Sequence, residues 1–410
     1  MKKLKILISA YACGPNSGSE PGMGWNFVTG ISKHHELHVI VEKRKWEKPI
    51  LDYLNENPTF NNNINFHFIE KQRNKKLRKI WPPSYYWFYR KWQKKALALG
   101  IELNNKENFD IIHHLNMVGY REPGYLWKIN KPFVWGPIGA LENSPWSFLP
   151  SLGIQGMAYY ASRNLLNSWQ QNFKNRLKKV VETKNSRLIA ATPQDAIKIR
   201  RLWGKDAVII CEVGQEKKQP LHLVRRKKDS PLAIVWSGQH TAGKNLSLLL
   251  KSLKNISIPY ELHILGKGPM TEAWIKMAQK LEVDKNCIWH GWVDRVKALN
   301  VMKMGHVFCI TSIKDLTASV TLEALSNGLP IVCLNHMGFA HVVNEKCGIK
   351  IPVDNPKNAQ RNIALALTNL YQDEEYRYQL SHGAIERAAD FKWENKIQKI
   401  NDIYSSVTNP

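Results

Sequence analysis

The stretch that decides the fold is residues 311–333, TSIKDLTASVTLEALSNGLPIVC. An acid, Asp315, precedes a turn of small residues, and an amphipathic helical pattern that carries Glu323 follows. Gly328 and Pro330 are typical of the C-terminal end of a helix. The apolar run that begins at Ile331 predicts a short buried strand. The pattern therefore predicts a loop, a helix and a strand, in that order.

The start of this helix is predicted to bind an anion. Backbone N–H groups near residues 317–320 have no partner inside the helix, and the helix dipole favours negative charge there. Asp315 precedes the first turn and Glu323 lies inside the helix, so a bound phosphate would have a carboxylate on either side. This layout suits a nucleotide sugar, in which a diphosphate lies between the hydroxyls of a ribose and those of a sugar. The alternative is a plain βα unit with a solvated acid on its loop.

This stretch resembles the family 4 retaining glycosyltransferases, which carry an E-x7-E motif that continues as E-A-x-A-x-G-x-P. The acids here are Asp315 and Glu323 at the same spacing, and residues 323–330, EALSNGLP, match the continuation. The first Glu of the motif is Asp in this sequence. The resemblance implies an α/β protein with two Rossmann-like domains facing across a cleft, the GT-B fold. It also implies a metal-independent transferase of the hexosyltransferase type.

The composition fits a two-domain globular protein. The chain has 410 residues, 43% of them hydrophobic and 23% charged, which is too long for one ordinary core. No run of eighteen apolar residues is present, so no membrane span is expected. Residues 1–8 are interpreted as a first buried strand and not as a signal peptide. The six scattered cysteines form no C-x-x-C pair, which favours reduced core thiols in a cytoplasmic protein.

The formal net charge of +25 points to an anionic partner, either nucleic acid, anionic lipid or an acidic saccharide. No helix-turn-helix, zinc-finger or RNP motif is present, so nucleic acid is not expected. Residues 71–95, KQRNKKLRKIWPPSYYWFYRKWQKK, interleave cations with aromatic residues, as in proteins that bind lipid headgroups. We expect this segment to dock the chain peripherally on the anionic inner membrane face, beside a lipid-linked acceptor. The alternatives are a basic helix whose aromatic residues pack on its own domain, and stacking on nucleic acid.

Residues 1–215 are predicted to form an acceptor-side Rossmann-like domain. Its opening strand, glycine-rich loop and helix are typical of nucleotide folds, although the loop is neither a Walker A motif nor a clean G-x-G-x-x-G. In the resembling family this loop lies over the donor diphosphate and the acceptor. Gly18, Glu20 and Gly22 match its glycine-rich turn. An ordinary βα turn is the alternative.

A histidine is expected at the end of a later strand in this domain. Residues 109–114, FDIIHH, resemble the family's D-h-h-H-x-H pattern, in which one histidine reaches the donor sugar. His114 is the first candidate for this role and His113, which is in register with the pattern, is held in reserve. A strand-end histidine bonded to the backbone is the alternative for both.

The second half is predicted to bind the donor. The polar, charged residues 216–230 are interpreted as a linker, and residues 231–390 as a second Rossmann-like, nucleotide-sugar-binding domain. Residues 391–410 begin with FKWE, which resembles the family's F-x-W-E. This resemblance implies a C-terminal helix that crosses back to the first domain.

The loop after the first strand of this domain resembles the family's diphosphate-binding loop, which carries Gly-Arg and a later Lys. Gly238 and Lys244 match, and Gln239 stands where the family has Arg. His240 is a candidate to replace the missing charge. Other donor contacts implied by the resemblance are the glycine turn at Gly266, the base-binding turn Gly291, Trp292 and Val293, and the helix start Thr317, Ala318, Ser319 and Val320.

These observations lead to one hypothesis: the chain transfers a sugar, with retention, from a nucleoside diphosphate sugar to a hydroxyl of a glycan or lipid-linked acceptor. Cell-surface polysaccharide or lipopolysaccharide synthesis is the expected setting. Lys244 and the helix amides would stabilise the departing diphosphate, Glu323 would hold the ribose hydroxyls, and Asp315 would contact the transferred sugar. No metal and no cofactor are expected, since no D-x-D pair is present. The alternatives are another GT-B enzyme (an epimerase of nucleotide sugars or a phosphorylase) and a non-catalytic binding subunit.

Overall fold

A computed structural model describes residues 2–58, 63–173, 175–183, 185–215, 223 and 225–408. The chain divides into two compact units. Unit 1 comprises Met1–Leu141, Gln170–Glu212 and Trp393–Pro410, and unit 2 comprises Glu142–Trp169 and Val213–Lys392. The predicted linker falls partly on residues 216–222 and 224, which lie outside the described ranges, as do residues 409 and 410 of the predicted C-terminal helix. Residues 142–169, inside the predicted first domain, cluster with unit 2.

Strands and helices alternate through most of the chain. The strands are β1 (Lys5–Ala10), β2 (Glu36–Glu42), β3 (Ile64–Ile69), β4 (Ile111–Asn116), β5 (Phe133–Ile138), β6 (Ser186–Ala190), β7 (Ala207–Ile209), β8 (Leu232–Ser237), β9 (Tyr260–Leu265), β10 (Cys287–Gly291), β11 (Val307–Ile310), β12 (Ile331–Leu334) and β13 (Gly348–Ile351).

The α-helices are α1 (Ser19–Ile31), α2 (Lys43–Glu56), α3 (Lys75–Ile80), α4 (Ser84–Glu107), α5 (Gly153–Phe173), α6 (Asn175–Val181), α7 (Pro193–Trp203), α8 (Leu246–Leu253), α9 (Thr271–Lys280), α10 (Arg295–Lys303), α11 (Ser319–Ser326), α12 (Met337–Val342), α13 (Pro356–Gln372), α14 (Glu374–Ala389) and α15 (Trp393–Thr408). Within the described ranges, none of these helices is long and apolar enough to cross a membrane.

The strands form two parallel sheets, one in each unit. Unit 1 has the order β3-β2-β1-β4-β5-β6-β7, and unit 2 has the order β10-β9-β8-β11-β12-β13. In each sheet the first strand of the unit is central and the chain runs outward first on one side and then on the other. The prediction of an α/β fold with two Rossmann-like domains is confirmed.

The strand sequences explain why both sheets are buried. Parallel strands covered by helices on both faces are continuous apolar runs instead of alternating patterns. Five of the six residues of β1 are buried, and all four residues of β11 and of β12 are buried. Each of the six cysteines, all within the described ranges, is free of a disulfide. Five of them are buried, as a reduced core role predicts.

Each sheet carries a stacked pair of histidines on neighbouring strands. His38 of β2 meets His67 of β3, and His263 of β9 meets His290 of β10, with 3.1 Å between ring nitrogens in both pairs. Burial lowers the pKa of all four rings. Neutral imidazoles can share one N–H between two nitrogens, so each pair forms a hydrogen bond instead of a repulsion.

The C-terminal helix α15 completes the core of unit 1. Its residues Ile397, Ile400 and Tyr404 belong to the same buried cluster as Phe27 and Val28 of α1. The Tyr404 hydroxyl lies 2.7 Å from Nδ1 of His113, whose Nε2 lies 2.9 Å from the Gly136 carbonyl oxygen. Burial lowers the pKa of His113 to about 4, so the ring is neutral at pH 7. Nε2 therefore donates to the carbonyl, and Tyr404 donates to Nδ1.

Replacing Tyr404 with Phe should destabilise the protein. The substitution leaves Nδ1 of a fully buried histidine without its donor, and an unsatisfied buried polar group costs about 1–3 kcal/mol. The expected fall in melting temperature is about 2–4 °C for each kcal/mol in a domain of this size. Scanning calorimetry measures it. Tyr376→Phe, at a partly exposed tyrosine of α14, is the matched control and should melt like the parent. Equal melting of Tyr404→Phe and the parent would contradict the assigned bond.

Candidate active site

The candidate site of unit 2 is at the point where its strand order reverses. The neighbours β8 and β11 lie at the centre of the sheet, and the chain runs away from them to opposite sides. The loops that follow two such neighbouring strands diverge and leave a crevice at the carboxyl ends of the strands. Open α/β sheets bind their ligands in this crevice. Lys244 follows β8 and Asp315 follows β11. Their side chains form an ion pair, in which each is about one-fifth exposed (21% and 20%).

The position of Lys244 is fixed by its own backbone. Residues Ala242–Lys244 form one short 3-10 turn, and Asn245 adopts a left-handed conformation (φ 51°) that starts α8. The Thr311 hydroxyl donates a 3.1 Å hydrogen bond to the Lys244 carbonyl oxygen. Since Thr311 follows β11 directly, this bond ties the Lys244 turn to the loop that carries Asp315.

Asp315 connects this lysine to the start of α11. One carboxylate oxygen accepts from the Leu316 N–H at 3.0 Å, and the other bonds the Lys244 ammonium. The residue before the helix, Ala318 (φ 61°), offers no side-chain acceptor to the first turn. The amides at the start of α11, which include Ser319 and Val320, are therefore not capped by that residue. Lys244, from the loop after β8, thus contacts the loop that leads into the anion site predicted at residues 317–320.

Glu323 lies on α11 and has a partner that the sequence did not identify. Its Oε1 accepts from Nε of Arg295 at 3.1 Å. Asp294 caps α10 by accepting from the Lys297 N–H, which places Arg295 at the first helical position. No pattern joins Arg295 to Glu323 along the sequence, because the two lie on separate βα units.

Backbone hydrogen bonds hold three neighbouring loops together in unit 2. Gly238 donates to Leu265 at 3.1 Å, His240 to Lys267 at 3.3 Å, and Gly266 to Gly291 at 2.8 Å. Gly266 has φ +115°, and a Cβ there would overlap the Gly238 carbonyl oxygen. Only glycine permits this approach. The structure therefore brings the predicted donor-loop glycines Gly238, Gly266 and Gly291 side by side.

The side chains near these glycines differ sharply in exposure. Gln239 and Trp292 are exposed, Trp292 at 76%, and Val293 is half-buried. His240 is fully buried, with Nδ1 2.8 Å from the Thr271 hydroxyl. Burial lowers the pKa of His240. Its ring packs in the core of unit 2 and presents no cation to a ligand, so it does not replace the charge absent at Gln239. Its ring neighbours are Trp236, Trp274 and Trp289.

Two further contacts around the Lys244 turn come from the segment 142–169. The Tyr160 hydroxyl of α5 lies against the backbone of Gly243, where a Cβ would overlap it. The Lys314 ammonium donates to the Glu142 carbonyl oxygen, 172 residues away in sequence. Both contacts lie within unit 2. No sequence pattern predicts these contacts, because segments this distant share no periodicity.

Unit 1 has an equivalent reversal point between β1 and β4. Gly18, Glu20 and Gly22 lie at the start of α1, after β1. Glu20 accepts from the Val118 N–H, after β4, at 2.7 Å, and burial raises its pKa. A Cβ at Gly22 would overlap the Ser17 carbonyl oxygen, whereas Gly18 has open space around it. The predicted acceptor loop is thus bonded across the reversal point of its own sheet.

His113 and His114 are both buried in unit 1. They lie on β4 with exposures of 0% and 1%. His113 bonds Tyr404 and Gly136, as described above. Nε2 of His114 lies 3.2 Å from the Glu122 carbonyl oxygen and donates to it. The interpretation as strand-end histidines bonded to the backbone therefore describes both rings in this structure.

Among the described residues, one group of three could hold a metal ion. The ligand atoms of Glu36, His38 and Glu107 lie within 4.8 Å of one another. The Lys5 ammonium already lies 2.7 Å from Glu107 and supplies a positive charge to the group. The group belongs to unit 1 and includes none of the predicted site residues.

The chain is similar to several known proteins. Residues 218–387 match the family model of the glycosyl transferases group 1. A curated relative, the sulfoquinovosyl transferase SQD2 of Arabidopsis thaliana, is 26% identical over 227 residues, which is 54% of this chain and 42% of the relative. The match therefore spans less than half of that relative's length.

Solved structures share the fold over the whole chain. A glycosyltransferase from Rickettsia africae has a TM-score of 0.64 at 13% identity and covers 100% of both chains. The Anabaena protein Alr3699/HepE in complex with UDP-glucose has a TM-score of 0.60 at 13% identity and covers 98% of this chain and 100% of its own. These likenesses concern the fold, and the family match rests on residues 218–387. Residues 218–387, about two-fifths of this chain, are therefore similar to the group 1 glycosyl transferases.

Proposed function

We propose that this chain transfers a sugar from a nucleoside diphosphate sugar to an acceptor hydroxyl, with retention at the anomeric carbon. The observation that carries the proposal is the Lys244–Asp315 pair at the reversal point of the unit 2 sheet, on the loop that leads into α11. The match of residues 218–387 to the glycosyl transferases group 1 supports glycosyl transfer as the reaction. The Anabaena structure of the same fold was solved with UDP-glucose, which supports a nucleotide-sugar donor.

The pair suits a ligand that carries both phosphate and hydroxyl groups. A lysine ammonium has three donor hydrogens, so Lys244 can bond diphosphate oxygens while one hydrogen still reaches Asp315. The amides at the start of α11 favour the same negative charge. A carboxylate accepts from sugar hydroxyls, which suits Asp315 to the transferred sugar and Glu323 to the ribose.

The chemical role of these groups is to stabilise charge on the leaving diphosphate. When the bond between the anomeric carbon and the diphosphate oxygen breaks, its electron pair stays with the diphosphate. Donors already positioned around that oxygen lower the barrier without reorganising. The proposal requires no metal ion and no cofactor from the protein, because Lys244 and the α11 amides supply the positive charge.

Replacing Lys244 with Ala should lower the rate of donor hydrolysis by about 10²–10³-fold, as removal of one positioned charge-stabilising donor does. Release of the nucleoside diphosphate from a panel of UDP-, GDP- and ADP-sugars measures it. Lys254→Ala, at an exposed lysine just after α8, is the matched control and should keep the parental rate. Turnover of Lys244→Ala within about twofold of the parent would rule out the assigned role.

The same panel tests the function itself. Hydrolysis of one donor class by the parent, absent from the Lys244→Ala variant, is the expected result. A chain that hydrolyses no sugar nucleotide but cleaves a glycan with inorganic phosphate would be a phosphorylase. A chain that binds donors without turnover would be a binding subunit. Either result would overturn the proposal.

Replacing Glu323 with Gln should weaken donor binding. A hydrogen bond to a charged group contributes about 1.5–3 kcal/mol, so the KM or Kd for the donor should rise about 10- to 100-fold. Arg295→Gln removes the same ion pair but leaves the carboxylate, and should change donor affinity by much less. Isothermal titration with the nucleoside diphosphate compares the two variants. Equal effects would show that Glu323 serves only to hold Arg295.

The basic aromatic segment supports a place for this reaction at an anionic membrane surface. In the structure, some aromatic residues of this segment are buried and others are exposed to solvent. Tyr89 and Trp92 are buried in the core of unit 1, and the Trp92 indole donates to the Ile69 carbonyl oxygen at 2.8 Å. The exposed apolar residues are Ile80, Trp81, Tyr86 and Trp87, and the exposed cations near them in sequence are Lys75, Lys76, Arg78, Lys79 and Lys91.

We therefore extend the proposal to a peripheral cytoplasmic enzyme that meets a glycan or lipid-linked acceptor at the inner membrane face, in synthesis of a surface polysaccharide or lipopolysaccharide. The α3 region is solvated throughout, with no buried residue. Cations next to an anionic bilayer contribute about 1 kcal/mol each. This supports binding that weakens as salt is added.

Replacing Lys75, Lys76 and Lys79 with Ser should reduce flotation with vesicles that contain anionic phospholipid at low salt. Each lost cation removes about 1 kcal/mol of attraction, so partitioning should fall about 10²-fold. A matched triple variant at exposed lysines of unit 2, Lys276, Lys280 and Lys285, should float like the parent. If both triple variants float equally well, the segment does not dock the chain.

A further inference from the structure

The helix α5 belongs to unit 2 as far as Trp169, and its polar side packs against the rest of that unit. Asn164 is buried and bonds the backbone of Ser144 twice, accepting from its N–H at 2.9 Å and donating to its carbonyl at 2.8 Å. Asn167 is also buried and donates to the Asn143 side chain at 2.8 Å. The Tyr160 hydroxyl lies against Gly243 on the same side. Polar contacts therefore fasten much of this face to the unit.

The opposite side of α5 is exposed and carries an apolar stripe, with Gln155 and Ser162 beside it. Ile154, Ala158 and Leu165 fall within one narrow stripe at helical spacing, and Leu166 and Met157 flank it. Ile154 is 83% exposed and Leu165 is 64% exposed. A helix on the surface of a globular protein normally buries such a stripe and solvates its polar side. Here the arrangement is reversed, which indicates that the stripe has a non-aqueous partner.

The charge around this helix indicates which partner it is. The sequence from residue 143 to residue 181 contains no Asp or Glu, while its cations are Arg163, Lys174, Arg176, Lys178 and Lys179. Arg163, Lys178 and Lys179 are exposed. Exposed aromatic residues, Trp146 and Trp169, occur before and near the end of the helix. Cations, interfacial tryptophans and an aliphatic stripe together match the boundary between anionic headgroups and acyl chains.

We propose that α5 is a membrane-binding helix that lies along an anionic phospholipid bilayer, with Ile154, Leu165 and Leu166 among the upper acyl carbons. The helix lies on the bilayer and does not cross it, because it is not apolar enough to span. This inference is independent of the donor chemistry. It is also independent of the α3 patch, since α5 contributes apolar insertion where that patch contributes charge attraction.

A high salt concentration distinguishes apolar insertion by α5 from charge attraction by the α3 patch. At 0.5 M NaCl headgroup attraction is strongly screened, and apolar insertion is not. The parent should still float with vesicles of phosphatidylcholine and phosphatidylglycerol at that salt concentration. The triple variant Ile154→Ser, Leu165→Ser, Leu166→Ser should bind these vesicles at least about tenfold more weakly, because it inserts less apolar area into the bilayer. Donor hydrolysis in free solution should stay at the parental level.

The matched control makes the same serine substitutions at three exposed apolar residues elsewhere on unit 2. Val296, Met304 and Leu365 are exposed apolar residues, and their triple serine variant should keep the salt-resistant flotation. Circular dichroism and melting establish that both variants are folded. A second probe is a polarity-sensitive dye on Leu166→Cys, whose emission should shift to the blue with these vesicles.

Three results would overturn the inference. The α5 variant could float like the parent at high salt, or the dye could show no shift. Alternatively, light scattering without lipid could show a parental dimer that the α5 variant reduces to a monomer, which would assign the stripe to a second copy of the chain. A chain that lacks donor hydrolysis but keeps α5-dependent flotation would refute the proposed function and leave this inference standing.

Discussion

A parallel sheet whose strand order reverses has one place on its carboxyl edge where two loops diverge, and each unit of this protein has a polar contact that bridges them. In unit 2, Lys244 and Asp315 come from the two loops that part. In unit 1, Glu20 and the Val118 N–H stand in the same relation. Each contact closes the gap between loops that the sheet itself separates.

Close backbone approach is the second requirement of the unit 2 site. Gly238, Gly266 and Gly291 join three loops by main-chain hydrogen bonds, and at Gly266 the Gly238 carbonyl oxygen leaves no room for a Cβ. A ligand at this edge would therefore meet peptide groups in a fixed arrangement. Trp292, which is largely exposed, is the large side chain that could adapt to it. The rigid part of the site and its adjustable part are thus separate.

The residues that the sequence identified are those whose signal is local. Asp315, Glu323 and the glycine-proline helix end lie within one βα unit, so their spacing could be read directly from the chain. Arg295, Tyr160 and Lys314 escaped detection because their partners are distant in sequence and no periodicity connects them. His240 was misjudged for a different reason: the tryptophans that bury it come from three different elements.

The fold class followed from the family resemblance and from the strand, loop and helix pattern, but the allocation of residues to units did not. Residues 142–169 continue the composition of the first half, yet Phe148, Leu149 and Tyr160 pack in the core of unit 2. Similarly, segment 71–95 is one basic aromatic stretch in the sequence, while the geometry of α4 directs Tyr89 and Trp92 inward and Trp87 outward. Composition reports what a segment contains, and only the periodicity of its helix determines what each side meets.

The ion pair at the reversal point affects how strongly competing anions in the cell can bind Lys244. Cells contain abundant orthophosphate and free nucleotides, and an unguarded ammonium beside a helix start would be occupied by them continually. With Asp315 in place, the charge that Lys244 offers to orthophosphate is partly neutralised. A ligand that also brings a hydroxyl to the carboxylate gains a second interaction. The pair would thus favour molecules with an acidic part and a sugar part over simple inorganic anions.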